Sequence, residues 1–417
     1  MKKINLQIKA LSPLAIGRQK PGGNVSEVEK YIPGSVIRGA VASQILKQSN
    51  SSTISENDDF YKLFLSENPA IFQNAYPGII TIDSDCVLKD DVKVLPATVV
   101  SSKNKSGFTT DEQNKNGAFD ILIDRFCAEK YGQLYDPNCP TEKSTYGERV
   151  DNYSSFYSEH NDDYYSSSAN TRLLTRVGIN RRRATSEERV LYSIAVLNES
   201  QENKKRPVTY TGAVFVKDDL AVALQQFIQN HQHDLRLGGA GSRGLGKVKI
   251  TAKAPSDIKL KVIKRIYDFN QKLRQRWSKW GDIFGNPLEE LAENRTYFTL
   301  DLQADAILTE NWQRTTVISR EMLQQYTGVN DSSLDIHAAY SSYDYRSGWN
   351  SAWGLMKDVE LVTNKGSVYL FSTENQNLWL QAWEDLEIYG VGDRTCEGFG
   401  QVQICNEFHF ILREEAV

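Results

Sequence analysis

The chain has 417 residues, 40% of them hydrophobic, with a formal net charge of −4 and 5 cysteines. That length leaves room for two or three domains with cores of their own. The near-neutral balance excludes a uniformly basic, nucleic-acid-coating surface, so any such contact must come from local bunching of cations. No apolar run is long enough to span a bilayer, and Met1-Lys2-Lys3 leads straight into a strand, so a soluble, cytoplasmic protein is expected. An odd number of cysteines without a Cys-x-x-Cys pair fits a reducing compartment better than a disulfide framework.

In chain order, Ile4 to Ile16 reads as a strand, alternating apolar and polar from Ile4 and closed by Ser12-Pro13 and Gly17. A Gly/Pro-rich loop, Lys20 to Gly23, leads to Tyr31-Ile32-Pro33-Gly34-Ser35-Val36-Ile37-Arg38-Gly39-Ala40. Pro33-Gly34 makes a turn, Ser35 is a suitable N-cap, and a helix follows to Leu46. Arg38 and Gly39 then belong to a first turn whose free N–H groups attract phosphate; the alternative for Arg38 is a solvated helix charge. Ser49 to Asp59 reads as a loop and Ile79 to Leu95 as strands. Ser101 to Gly117 is expected to be mobile without a partner, and Tyr153 to Ala169 to be a solvated loop. Arg176 and the run Arg181-Arg182-Arg183 precede a strand, Leu191 to Leu197. They suit a basic hairpin laid along RNA phosphates, or a charged turn in water, and three consecutive arginines cannot all face one way.

Next come a strand opening Gly212-Ala213-Val214, a helix from Asp218 to Asn230, and the stretch Gly238-Gly239-Ala240-Gly241-Ser242-Arg243-Gly244-Leu245-Gly246-Lys247-Val248. The same succession recurs: Gly366-Ser367-Val368, a helix from Asn377 to Glu387, then Gly390-Val391-Gly392-Asp393-Arg394-Thr395-Cys396-Glu397-Gly398-Phe399-Gly400. Gly212 and Gly366, Gly246 and Gly400, and Ile250 and Ile404 are equally spaced, so the strand–helix–loop–strand unit is duplicated. Phe298 to Ala304 likewise alternates as Ile4 to Ala10 does. The expected fold is α+β: two ferredoxin-like domains of the split βαβ kind, at 1–255 and 295–417, with inserts at about 100–170 and a connecting helical segment at 256–294. Glycines at this density let backbone approach a ligand closely, and an adjacent arginine offers a planar fork for phosphate. Gly239, Gly241, Arg243 and Lys247 in the first loop, and Gly392, Arg394 and Gly398 in the second, are therefore candidate phosphate-binding residues. Basic and aromatic residues interleave between Ser256 and Gly285, and Tyr340, Tyr343, Tyr345, Trp349 and Trp353 form a second aromatic patch. The first pattern suits an amphipathic helix with its aromatics in a core better than base stacking. The second suits a neighbouring subunit or stacked nucleotides.

Ile32-Pro33-Gly34-Ser35 with Ile37-Arg38-Gly39-Ala40, the Arg176-Val177-Gly178-Ile179-Asn180 turn and the glycine loops resemble the RAMP superfamily of CRISPR-associated RNA-binding proteins. Ser347-Gly348-Trp349-Asn350, Trp353-Gly354-Leu355-Met356-Lys357 and the second glycine loop are similar to the two-domain subunit of type III-D effectors, the Csx-ten group. The resemblance implies a CRISPR ribonucleoprotein subunit that grips the repeat-derived 5′ end of guide RNA, beside other RAMP subunits and the large polymerase-like subunit. Cys127 and Cys139 stand where related proteins carry a zinc-binding insertion, but neither has a partner at ligand spacing. Processing nucleases of the superfamily tend to place a histidine in the first strand or helix, and this chain has none there. His231 and His233 are the pair left to test, and a helix C-terminus is their simpler role. No P-loop, metal motif or nucleophile elbow appears, so no cofactor, metal or catalytic residue is expected. A repeat-processing endoribonuclease and a purely structural scaffold are the alternatives.

Overall fold

The computed structural model describes residues 1–18, 27–49, 54–79, 91–110, 116–141, 144–180, 185–200, 208–350 and 354–417. Arg181, Arg182, Arg183 and Trp353 lie outside them. The first sheet is built from β1 (Lys2–Ala10), β2 (Ile71–Phe72), β5 (Thr209–Val216) and β6 (Val248–Ala252), in the spatial order β6-β1-β5-β2 and antiparallel throughout. Helix α1 (Gly34–Gln48) connects β1 to β2, and α2 (Asp218–Asn230) connects β5 to β6. The alternation of β1 decides which face is inside. Ile4, Leu6, Ile8 and Ala10 are buried with Val214 and Tyr210 of β5, under Ile37 and Val41 of α1 and Leu220, Leu224 and Ile228 of α2.

The second sheet repeats the plan. Strands β7 (Thr296–Leu302), β8 (Asp335–Tyr340), β11 (Val368–Thr373) and β12 (Val402–Ile404) lie in the order β8-β11-β7-β12, with α4 (Arg320–Thr327) between β7 and β8 and α5 (Gln376–Tyr389) between β11 and β12. Both sheets therefore carry the ferredoxin-like strand order, first strand flanked by the fourth and the third. A two-stranded hairpin stands in the same place in each, between the second and third sheet strands. It is β3 (Thr171–Asn180) with β4 (Thr185–Leu197) in the first, and β9 (Tyr343–Arg346) with β10 (Glu360–Thr363) in the second.

In the second sheet β7, β11 and β12 are buried on both faces, while the edge strand β8 is partly exposed. Phe298, Leu300 and Phe371 pack on Trp379 and Trp383 of α5. The opposite face meets α3 (Val262–Phe284) and a helix at Leu122–Lys130, through Tyr297, Phe126, Ile266 and Phe269. Helix α3 thus places Phe269 and Trp280 in the core, as its amphipathic pattern predicts, while Tyr267 stays 61% exposed. The stretch Tyr153 to Ala169 departs from the expected solvated loop: it contains a hairpin, Phe156–His160 with Asp163–Ser167, whose Tyr157 is buried among Phe108, Tyr164 and Phe408. Tyrosine rings made that segment look polar by composition, yet they supply its core. Phe108, within the segment expected to be mobile, is fully buried in the same cluster. Among the described residues, no helix is long and apolar enough to cross a membrane.

Candidate nucleic-acid interface

Helix α1 begins two residues earlier than its sequence suggests, with Pro33 in place of Ser35 at the N-cap. Ser35 lies inside the first turn, and the capping is done from another segment: Asn74 Oδ1 accepts from the Gly34 N–H at 2.8 Å. Asn74 Nδ2 in turn donates to the Gly398 carbonyl at 3.0 Å, so one buried carboxamide ties the start of α1 to the second glycine loop. The contact is close enough to demand both glycines. A Cβ on Gly34 would stand 1.9 Å from the Phe72 carbonyl oxygen, and one on Gly398, at φ +92°, would stand 2.6 Å from Asn74 Oδ1. The N-terminus of α1 is therefore filled by protein rather than open to an anion, and Gly398 serves packing between the two units rather than ligand approach. Gly392 is similar: at φ +79°, its Cβ would meet the Ile307 carbonyl oxygen at 2.3 Å, where Asp393 N–H donates to that oxygen at 2.9 Å.

Arg38 turns away from the predicted phosphate position. It donates to the Phe64 carbonyl at 2.6 Å and lies over the Phe64 ring, closing the end of the short helix Asp59–Phe64. Gly39 is exposed with nothing within 4 Å of where a Cβ would be. The first glycine loop is the open one. Gly239 and Gly241 have ordinary φ, and Gly241 faces free space, so positive φ falls instead on Gly238, Ala240, Gly244 and Gly246. Arg243 is exposed in a 3₁₀ turn at Gly241–Arg243. Its guanidinium lies 5.3 Å from the centre of the Tyr192 ring and donates to that hydroxyl at 3.2 Å. Tyr192 is the cross-strand partner of Arg176, so Arg176, Tyr192 and Arg243 share one face midway along the hairpin. Lys247 is exposed just past the loop, its backbone N–H bonded to Ser12 Oγ at 2.8 Å. Arg394, at φ +58°, stacks on Phe399 and pairs with Glu397 at 2.5 Å. Burial opposes charge on Glu397, but Arg394 and its neighbouring cations hold that carboxyl below its ordinary range.

These elements enclose a cleft of about 590 Å³, lined by Gly238 and Gly239 of the first loop, Arg394 and Phe399 of the second, and one face of α1. That face carries the i, i+4 row Ser35, Gly39, Ser43 and Lys47 beside Val36, Ala40 and Gln44, and the small side chains at 35, 39, 40 and 43 keep the wall low. Arg236 and Lys357 add exposed cations. Asp234 and Asp358 also line the cleft, while Arg346 is held by Glu29 and Asp305 at its floor and Glu360 by Arg314. Lys47, Arg236 and Lys357 were missed by the sequence reading, although the i, i+4 spacing of the α1 stripe was visible. The structure thus brings Gly39, Gly239 and Arg394 to one cleft and Arg176 and Arg243 to the middle of the first hairpin. Gly392 and Gly398 do not line the cleft.

A model of the RAMP superfamily matches residues 7–249. The chain belongs to the RAMP superfamily. No curated protein sequence matches it significantly. Its fold is similar to a chain of the Type III-B Cmr-beta complex bound to cognate target RNA and AMPPnP (13% identity, 90% of this chain, 88% of that chain, TM-score 0.39). It is also similar to one from that complex bound to cognate target RNA (13% identity, 88% of this chain, 86% of that chain, TM-score 0.40).

His231 caps the C-terminus of α2, with Nδ1 2.8 Å from the Phe227 carbonyl and Nε2 2.5 Å from Gln48 Nε2. Cys127 and Cys139 are buried free thiols, and burial pushes Cys127 up to about 12, which suits neither a nucleophile nor an open ligand. Among the described residues no group of three His, Cys, Asp or Glu is placed to hold a metal ion.

Proposed function

We propose that this RAMP protein is a non-catalytic RNA-binding subunit of a type III CRISPR effector ribonucleoprotein, of the III-D kind, serving antiviral defence. It grips the repeat-derived 5′ handle of the guide RNA in the glycine-loop cleft, with other RAMP subunits and the large polymerase-like subunit as neighbours. The observation that carries the reading is the convergence of both glycine loops and the small-residue face of α1 on one cleft with cations at its edge. Exposed backbone beside Gly39 and Gly239 allows close approach of a sugar–phosphate chain, and Arg236, Arg394, Lys47 and Lys357 supply countercharge. Arg243, Arg176 and Tyr192 continue the path onto the first hairpin, where an aromatic face and two guanidinium groups suit a single-stranded segment. Purifying the protein with the products of neighbouring genes and sequencing any bound RNA tests this. Reads sharing a repeat-derived 5′ end are expected, and a nucleic-acid-free complex would overturn the assignment.

A further inference from the structure

The face of the first sheet turned away from α1 and α2 should be polar or covered, since the alternation of β1 leaves Lys3 and Asn5 there opposite Phe215 and Ala213. It is only partly covered. A second cleft of about 590 Å³ lies between this face, the edge strand β12 of the second sheet, and the start of α3. Its lining includes amides and a hydroxyl, Asn5, Gln73, Thr211, Gln401 and Gln403, beside Ala213, Phe215 and Val402. Three polar atoms of that lining, Thr211 Oγ1, Gln401 Nε2 and Gln403 Oε1, are buried without a hydrogen-bond partner among the described residues. Thr211 is 2% and Gln403 8% exposed. The Gln403 carboxamide is fixed by its Nε2 bond to Glu407 at 3.0 Å, which commits Oε1 as a fixed acceptor. Buried polar groups left unpaired are costly, so three beside one cleft favour a ligand with donors and acceptors of its own.

The rim supplies the charge. Lys93 is paired with Glu407 and Arg265 with Glu387, but Lys3, Lys259, Lys261 and Lys264 make no ion pair among the described residues. Lys261 and Lys264 flank the first turn of a 23-residue helix, whose free N–H groups add to their field. Asp91, Glu159 and Asp268 also line the cleft, so a bare anion gains little there. A ligand that presents phosphate to the lysines and amino or imino donors to carboxylate and amide oxygens fits both halves.

We propose that this interdomain cleft is a ribonucleotide site, separate from the glycine-loop cleft, in which Lys261 and Lys264 hold phosphate and the Gln401–Gln403 edge reads a base. The four ribonucleoside 5′-monophosphates and inorganic phosphate are titrated calorimetrically into the full-length protein at low salt. One or more nucleotides should bind with one-to-one stoichiometry, about tenfold or more tighter than inorganic phosphate. Lys261→Glu/Lys264→Glu, both exposed positions, should weaken that binding by about tenfold or more. Gln403→Leu should flatten the preference among bases while phosphate-dependent binding persists. Arg236→Ala/Lys47→Ala, in the other cleft, should leave mononucleotide binding unchanged while weakening oligoribonucleotide binding. Affinity equal to that of phosphate, no binding at all, or binding lost in the Arg236/Lys47 variant instead of the lysine variant would each overturn the site. Oligoribonucleotide binding by the same proteins reports separately on the glycine-loop cleft.

Discussion

Replacing Asn74 by alanine should be among the most damaging single changes outside the hydrophobic cores, because one side chain serves two separate needs. Its Oδ1 caps the first turn of α1 and its Nδ2 satisfies the buried Gly398 carbonyl. Loss of an N-cap costs about 1 kcal/mol, and a buried carbonyl left without a donor about 1–3 kcal/mol. Asn74→Ala should therefore lower the unfolding free energy by about 2–4 kcal/mol on these terms. Asn74→Asp keeps the acceptor for Gly34 but sets a buried carboxylate oxygen against the Gly398 carbonyl, so it should destabilise at least as much as the alanine variant. Urea unfolding followed by far-ultraviolet circular dichroism measures both, which matters because every tryptophan lies at or after position 277 and fluorescence would report one end of the chain. A loss below about 0.5 kcal/mol in the alanine variant, under the usual range for an N-cap alone, would refute the docking of the second glycine loop on α1.

The two glycine loops should respond oppositely to a branched side chain. Gly392→Val, with positive φ and a carbonyl 2.3 Å from its Cβ, should destabilise by about 2–4 kcal/mol, whereas Gly241→Val, facing open space, should stay within about 0.5 kcal/mol by thermal unfolding. His409 is fully buried with Nε2 2.8 Å from Asp301 Oδ1 and Nδ1 3.1 Å from Asp120 Oδ2. Burial opposes its charge, but the two carboxylates prevail and hold its pKa at about 10. A folded pKa above the unfolded value of about 6.5 means that its stabilisation is complete below that value and is lost as pH rises towards 10. Stability should fall across that window in the wild type and fall less steeply in His409→Gln. Labelled repeat RNA should remain intact with the isolated protein, with or without divalent metal. An active base contributes about 10²–10⁴-fold, so specific cleavage abolished by His231→Ala/His233→Ala would reinstate a nuclease.

The duplicated unit was legible because period and spacing survive in sequence: the alternation of Ile4 to Ala10 and of Phe298 to Ala304 marked the first strand of each sheet, and the helices at Asp218 and Asn377 fall where the repeat puts them. What was not legible is how the copies dock. Gly398 and Gly392 look like Gly241 in a motif, but their need for glycine is set by Asn74, Phe72 and Ile307, which are distant in sequence. Arg38 likewise has a phosphate-binding neighbourhood by spacing, yet the Phe64 carbonyl and ring, 26 residues away, claim its guanidinium. The inserts were harder still. The helix Leu122–Lys130 packs against the second sheet through Phe126, a partnership that no local periodicity announces. Of the cleft itself, the glycines and Arg394 were visible as a motif, while Arg236, Lys47 and Lys357 join only through the fold.

The central claim is that RNA phosphates lie along the glycine-loop cleft and the adjoining hairpin face, and the salt dependence of guide-RNA binding tests it most directly. Each lost phosphate contact to a single strand reduces the slope of log Kd against log salt by about 0.7, so Arg236→Ala/Arg243→Ala should flatten it by about 1.4. Arg38→Ala, whose side chain is engaged by Phe64, should leave the slope as in the wild type. An unchanged slope in the Arg236/Arg243 variant, or a slope reduced by Arg38→Ala alone, would contradict the account.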